Sequence, residues 1–374
     1  MAGKREVDQQ ALDRRYMAAA LRLSRKHLGR TATNPSVGTL IVRDDGAGPM
    51  IVGSGVTAIG GRPHAEAEAL AEAGELARGA TAYVTLEPCA HHGRTPPCAE
   101  ALAAAGIARL VGAASDPDPR VSGKGYAILR AAGVDVVEKV LSEEAADLMA
   151  GYLTRSRRKR PEVTLKLALS RDGRIGRRGQ GQVAITGEVA RREVQMMRAE
   201  ADAILIGIGT ALEDDPALTV RLPGLENRLP ARIVLDRGLK LPETARLLAD
   251  IDRVPLYIAV GEGADRQRKA AFERRGVRFI GTDTHDGAIA LPELMEDLAA
   301  LGIATVLVEG GAATAAAFLA DDLVDRIVLF WGVGEIGEGG VASPVDAARI
   351  PANFRKRREM RFGDDVYAEW TRKF

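Results

Sequence analysis

Pro63-His64-Ala65-Glu66 and, after a strand-like Ala82 to Leu86, Glu87-Pro88-Cys89-Ala90-His91-His92-Gly93-Arg94-Thr95-Pro96-Pro97-Cys98 are the two stretches on which the reading of this chain turns. The whole sequence holds five histidines and two cysteines, and both cysteines and three of the histidines fall between positions 64 and 98. Packing does not gather soft ligands in this way. One imidazole, His64, and two thiolates, Cys89 and Cys98, fill three places of a zinc tetrahedron and leave the fourth open for water, which is the pattern of a catalytic site. A fourth ligand from His91 or His92 would make the site structural instead, and a free cysteine pair beside unrelated histidines is the blander alternative.

Glu66 is the natural proton carrier. Residues two apart in a helix point about 200° apart, so His64 and Glu66 converge only in a first turn. There the positive end of the helix favours anionic groups, and a second helix start at Pro97-Cys98 is expected to favour the Cys98 thiolate. Zinc lowers the pKa of water toward about 7 and a carboxylate moves its proton to a departing amine, which is hydrolytic deamination of an amidine-like ring carbon. The usual deaminase pattern closes with P-C-x-x-C, whereas here the second cysteine comes nine positions after the first. The longer loop, with His91, His92 and Arg94, suits a larger or phosphorylated substrate.

Working outward, the first half alternates helical and extended patterns: a helix at Ala18 to His27, a strand at Val37 to Val42, and an Ala/Glu-rich helix at Ala65 to Leu76. A helix at Ala99 to Ala105, a strand at Ala108 to Ala113 and a helix at Gly125 to Ala132 follow, the signature of an α/β layered domain. Arg155 to Arg160 reads as a solvated basic connector, dividing a first domain, 1–154, from a second, 161–374. The second half restarts with a strand at Val163 to Leu169 and alternates again. Strands are expected at Ala203 to Ile208, Arg232 to Leu235, Pro255 to Val260 and Ala304 to Val308, and helices near Glu188 to Ala199, Leu291 to Ala300 and Ala312 to Leu319.

Charge narrows the function. Among 374 residues, 52 Lys and Arg balance 51 Asp and Glu. Positions 1–150 carry 17 basic and 18 acidic residues and the remainder 35 and 33, so neither half has the basic excess of an electrostatic nucleic-acid binder. Aromatics make up 4%, few for a base-stacking surface. A nucleic-acid base deaminase is therefore the weaker rival. With no apolar run of a membrane span's length and no apolar core at the N-terminus, a cytoplasmic location is expected, with no membrane partner.

In the second half, Ile204-Leu-Ile-Gly-Ile-Gly-Thr210 and Val306-Leu-Val-Glu-Gly-Gly-Ala-Ala-Thr314 each end a strand in a glycine-rich turn. Strand, glycines and helix start make a workable phosphate cradle, but ordinary βα turns look the same, and the full G-x-G-x-x-G pattern is missing.

Taken together, His64-Ala-Glu66, Thr85-Leu-Glu-Pro-Cys-Ala-His-His-Gly-Arg-Thr-Pro-Pro-Cys98, Asn34-Pro-Ser-Val-Gly and Asp116-Pro-Asp-Pro-Arg resemble the deaminase domain of the RibD family, the bifunctional enzymes of riboflavin biosynthesis. Lys166 with Asp172-Gly173, the segment from Ala190 to Arg198, Thr210, the segment from Asp214 to Arg221 and Glu309-Gly-Gly are similar to that family's reductase domain. The resemblance covers nearly the whole chain. It implies an α/β fold with an N-terminal cytidine-deaminase-like three-layer domain followed by a dihydrofolate-reductase-like α/β domain. It implies Zn²⁺ and NADPH as cofactors, a small pyrimidine ribotide as substrate, and assembly with further copies of the same chain.

Carried over to this numbering, the resemblance places Asn34, His91, Arg94, Asp116 and Asp118 near the base and phosphate in the first domain. Asn34 and Asp116 beside their prolines read equally well as turn residues. In the second domain, Lys166, Arg198, Asp215, Leu218, Arg221 and Glu309 would face the substrate, and Leu169, Ala184, Thr210, Asp214, Gly310, Gly311 and Thr314 the cofactor. Arg198 and Arg221 suit a phosphate because a guanidinium forks onto it, although a surface ion pair is the common fate of an arginine. Three departures stand out. Thr57 replaces a frequent His, Ala184 replaces the aromatic of Ser-x-Trp-Ile-Thr, and a proline common after Glu309-Gly-Gly is missing. The Ala184 departure motivates a further reading, in which the second domain is non-catalytic.

Overall fold

A computed structural model describes residues 2–93, 96–285 and 287–373. The chain divides into two compact units, residues 1–158 and 159–374. Among the described residues no helix is long and apolar enough to cross a membrane.

In the first unit the elements run α1 (Ala2–Ser24), β1 (Gly38–Arg43), β2 (Met50–Val56), α2 (Ala65–Ala73), β3 (Thr81–Leu86), α3 (Cys98–Ala104) and β4 (Arg109–Ala114), then α4 (Lys124–Ala131), β5 (Asp135–Val137), α5 (Ser142–Leu148) and α6 (Ala150–Arg158). The strands form one sheet in the order β2-β1-β3-β4-β5, antiparallel across β1 and parallel from β3 to β5. Successive strand residues face opposite sides. Leu40 and Val42 accordingly join Tyr16, Met17, Ala20 and Leu21 of α1, while Ile41 between them packs on Ala69 and Ala73 of α2. This makes three layers. The first helix starts far ahead of the expected Ala18, and Leu12, Tyr16 and Met17 in its earlier turns belong to the apolar face that packs on the sheet.

The second unit contains β6 (Glu162–Leu169), β7 (Arg174–Arg177), α7 (Glu188–Glu200), β8 (Ala203–Gly207), α8 (Ile208–Asp214), β9 (Ala231–Leu235), β10 (Leu256–Val260), α9 (Arg266–Arg274) and β11 (Arg278–Gly281). It continues with β12 (Thr284–His285), β13 (Ala288–Ile289), α10 (Leu291–Ala300), β14 (Thr305–Val308), α11 (Ala312–Ala320), β15 (Arg326–Trp331), β16 (Gly340–Ala342), β17 (Phe354–Phe362) and β18 (Asp365–Arg372). Nine strands form a sheet in the order β11-β10-β9-β8-β14-β6-β15-β18-β17, parallel from β11 to β15 and closed by two antiparallel strands. Helix α10 buries Leu291, Leu294, Met295 and Leu298, spaced for one helical face, against alternate residues of β6 and β14. On the opposite face Ile204 and Ile206 of β8 pack with Val234, Ile258 and Phe272.

The basic run expected as a solvated connector is so only in part: Arg157, Arg158 and Lys159 are exposed, and the division between the two units falls within the run. Arg155 to Arg158 close α6, and Arg160 is 8% exposed with its guanidinium forked onto both oxygens of buried Asp325. Counting charges along the sequence does not reveal a carboxylate 165 positions away.

Candidate active sites

His64 is the N-cap of α2 and Glu66 lies in the first helical turn, where the two side chains converge. Cys98 opens α3, and Cys89 sits in the loop after β3. His64 Nδ1 is 3.4 Å from Cys98 Sγ and 3.8 Å from Cys89 Sγ, and the three ligand atoms all lie within 4.8 Å of one another. Two sulfurs and an imidazole at that spacing, with no carboxylate among them, fit a single zinc ion.

The electrostatics of the ion-free site are strongly coupled. Cys89 is pulled down to about 4 by the hydrogen bond from the Cys98 thiol, then by His64 and by the Cys98 backbone N–H, which reaches its sulfur at 3.2 Å. Cys98 is pushed up by the same contact and by burial. The backbone N–H at the start of α3 is thus aimed across the loop at Cys89 Sγ. Glu66 is 4% exposed, and burial followed by the Cys89 charge raises its carboxyl to about 7.

Around this cluster, Asn34 Nδ2 donates to Gly61 O at 3.2 Å, three residues before His64. The Asp116 carboxylate accepts the Asp118 N–H at 2.9 Å, as a turn residue would, and also the Tyr152 hydroxyl at 2.9 and 3.1 Å. Burial first, with the Cys89 charge among the lesser causes, holds its pKa up. Asp118 is lowered to about 2, chiefly by Arg120. His91 Nδ1 is buried without a hydrogen-bond partner among the described residues. Arg94 lies outside the described residues. Thr57 is 2% exposed, its hydroxyl accepting the Val37 N–H at 2.9 Å and its carbonyl facing His27 Nδ1 at 2.7 Å. Sequence reasoning missed Tyr152, whose helix no motif marks.

The second unit holds a cavity of about 1130 Å³. Of the residues singled out in the sequence, Lys166, Arg198, Arg221 and Glu309 line it, as do Ala184, Thr210, Asp214, Gly310, Gly311 and Thr314. Glu309 takes two hydrogen bonds from Arg198, at 2.6 and 3.0 Å, with Lys166 Nζ at 4.0 Å. Three other expected residues do not line the cavity. Leu169 turns into the central core and Leu218 into the core beneath β8 and β9, both as apolar side chains must when a hydrophobic interior is at hand. Asp215 spends a carboxylate oxygen on the Arg246 N–H at 2.8 Å.

The glycine-rich turns are close-fitting. A Cβ on Gly207 would stand 2.3 Å from Thr314 Oγ1, and one on Gly310 2.6 Å from Thr314 Cβ. The Gly311 N–H donates to Thr210 Oγ1 at 2.9 Å, tying the two turns together. There is no open turn after β8, since α8 starts at Ile208 with Gly207 as its N-cap. A cradle that a single Cβ would fill, beside the start of α11, fits a phosphate-bearing cofactor.

Comparison with known proteins completes the description. Residues 161–368 match the RibD C-terminal domain, and residues 10–114 match the cytidine and deoxycytidylate deaminase zinc-binding region. The chain is 37% identical over 361 residues to the riboflavin biosynthesis protein RibD of Aquifex aeolicus, covering 95% of this chain and 97% of that one. It is 40% identical over 329 residues to its counterpart in Escherichia coli, covering 85% and 87%. The chain belongs to the RibD family. Solved relatives agree: RibD of Acinetobacter baumannii superposes with a TM-score of 0.84 at 35% identity, covering 98% of this chain and 100% of that one. The diaminohydroxyphosphoribosylaminopyrimidine deaminase/5-amino-6-(5-phosphoribosylamino)uracil reductase of Thermotoga maritima gives 0.84 at 31% identity with the same coverage. As a member of this family, the chain is a bifunctional enzyme of riboflavin biosynthesis, with a deaminase domain of the zinc-binding kind followed by a reductase domain.

Proposed function

We propose that the first domain deaminates 2,5-diamino-6-ribosylamino-4(3H)-pyrimidinone 5′-phosphate at C2, and that the second reduces the ribosyl group of the deaminated product to ribityl with NADPH. The observation that carries the reading is the convergence of His64, Cys89 and Cys98 within 4.8 Å beside buried Glu66.

His64, Cys89 and Cys98 would hold zinc, which when bound supplies Lewis-acid activation of water near neutral pH. Glu66 accepts a proton from that water as its oxygen bonds to C2. It then returns the proton to the amino nitrogen, so that the C2–N bond breaks and ammonia leaves. Burial of Glu66 raises its carboxyl and so favours its taking up that proton. Asn34, His91, Asp116 and Asp118 would orient the pyrimidine and its ribotide. The unpaired His91 Nδ1 is suited to a polar atom of the substrate.

In the second domain Gly310, Gly311 and Thr314 at the start of α11, with Thr210 and Asp214, would seat NADPH, which supplies the hydride. Arg221 carries an exposed guanidinium at the cavity and suits the substrate phosphate. Arg198 is held by Glu309 and so keeps a fixed orientation toward the same space. No aromatic side chain is among the residues lining the cavity, so Ala184 leaves the cofactor without a stacking partner there. We take the chain to work in the cytoplasm as a homo-oligomer on a small-molecule substrate, without nucleic acid.

The test is one assay on the purified chain with the diaminopyrimidine ribotide, following ammonia release and NADPH absorbance together. Ammonia release followed by NADPH oxidation is expected. Ammonia without NADPH oxidation would leave the second domain non-catalytic, and neither signal would reject the proposal.

A further inference from the structure

The strand that leads into the metal loop ends on a carboxylate that the deamination chemistry does not use. Glu87 follows β3, two residues before Cys89, and is 3% exposed. Its backbone N–H donates to Ala114 O, at the end of β4, at 2.9 Å. Its side-chain Oε1 accepts the Gly125 N–H in the first turn of α4 at 3.2 Å. Burial pushes the Glu87 carboxyl up, and its second oxygen, Oε2, is buried without a hydrogen-bond partner among the described residues.

The packing around this carboxylate leaves no slack. A Cβ on Gly125 would stand 2.0 Å from Pro88 O and 3.3 Å from Glu87 Cγ. Helix α4 therefore rests on the very peptide that precedes Cys89. On the other side, Asp116 anchors the turn to Asp118 through its N–H at 2.9 Å and takes the Tyr152 hydroxyl. The metal loop thus meets the start of α4 at one buried side chain, and the Asp116–Asp118 turn is tied to that start through the Val121 and Ser122 N–H groups, which both donate to Asp118 O at 2.8 Å.

We propose that Glu87 is a positioning residue of the deaminase. It holds the Asp116–Asp118 turn and the start of α4 in register with Cys89, so that a pyrimidine gripped by the turn presents its reacting carbon to the metal. This rests on the reading of Asp116 as a substrate contact. The physical warrant is that displacing a group that grips the substrate weakens ground-state and transition-state binding alike and so raises KM, while the accompanying misplacement of the reacting carbon lowers kcat.

The experiment compares Glu87→Ala, Glu87→Gln, Gly125→Ala and Asp116→Asn in the full chain. Zinc content is measured by elemental analysis, ammonia release as separate kcat and KM, and the reductase rate on pre-formed deaminated substrate serves as a control. Glu87→Ala and Gly125→Ala are expected to keep zinc and the reductase rate while KM for deamination rises at least about tenfold, with a smaller fall in kcat. Glu87→Gln keeps one acceptor oxygen and should recover most of the loss. A general loss of stability would not produce that split or that rescue. An unchanged KM in Glu87→Ala overturns the proposal, as does a loss of zinc in step with activity. Should Glu87→Ala fail to fold, Glu87→Met, which fills similar space without an acceptor oxygen, is expected to show the same rise in KM, and an unchanged KM there overturns the proposal. Asp116→Asn separates the two claims: if it leaves KM unchanged the substrate reading fails, whereas if it raises KM and the Glu87 and Gly125 variants do not, only the positioning role fails.

Discussion

Replacing Glu309 with Gln removes one charge from a buried trio and leaves its shape nearly intact. The Glu309, Arg198 and Lys166 side chains are 9%, 13% and 15% exposed, so water cannot easily stand in for the lost anion. Burial by itself would raise the Glu309 carboxyl, but the charge and hydrogen bonds of Arg198, with Lys166 behind them, more than offset it and hold it below its ordinary value. A carboxylate depressed in the folded state contributes stability above its unfolded pKa of about 4.3, and that stability is lost as pH falls through the lower folded value. Breaking a buried ion pair from one side costs about 3–5 kcal/mol, and because Gln retains an acceptor the lower end, about 3 kcal/mol, applies. For a unit of this size each kcal/mol shifts the midpoint by roughly 2–4 °C, so the second unit's transition should fall by about 6–12 °C at pH 7. Scanning calorimetry reads this directly, and the difference between the two proteins should narrow as the scan is repeated toward pH 4. A drop of less than about 2 °C at neutral pH would refute the reasoning, because it would mean the two cations do not depend on that anion.

Three further outcomes are expected. Glu66→Gln should retain zinc yet lose ammonia release by about 10²–10⁴-fold, whereas Cys98→Ala should lose the metal itself; equal metal loss in both would remove the distinction between ligand and proton carrier. Because the ion-free Glu66 carboxyl sits at about 7, it is mostly protonated at pH 6 and a dication should expel that proton. Zinc uptake by the wild-type chain, measured calorimetrically in buffers of different ionisation enthalpy, should therefore release about one proton more than uptake by Glu66→Gln. Matching counts would place the carboxylate outside the ion's field. Gly310→Ala would press a methyl to within 2.6 Å of Thr314 Cβ, a contact that rotating the side chain does not relieve, and so displace the start of α11. NADPH binding by fluorescence titration should weaken at least tenfold, an overpacking cost of about 1–3 kcal/mol, while deamination stays unchanged; an unaltered Kd would show that the cofactor sits elsewhere.

The metal cluster was legible in the sequence because its chemistry is carried by residue type. His64, Cys89 and Cys98 announce a soft-ligand site wherever the chain places them, and the two-residue step to Glu66 forces both into one helical turn. The alternating apolar residues of β6 and the four-residue spacing in α10 likewise announced a strand and a helix. Less visible were β2, α5, β17 and β18. In β17, Arg355 to Arg361 expose charge on both faces, and only the pairing with β18 makes that stretch a strand.

What the sequence by itself determined is therefore the identity of the groups that do chemistry and the α/β character of both domains, since both follow from local composition and periodicity. Only the tertiary structure decided that the Cys98 N–H reaches Cys89 Sγ, that Arg160 is a buried partner of Asp325, and that Leu169, Leu218 and Asp215 do not line the reductase cavity. It also brought Tyr152 to Asp116 and Glu87 to the start of α4. These are questions of which groups face each other across tens of residues, where burial and N–H direction set the energies, and no property of a single position along the chain encodes them.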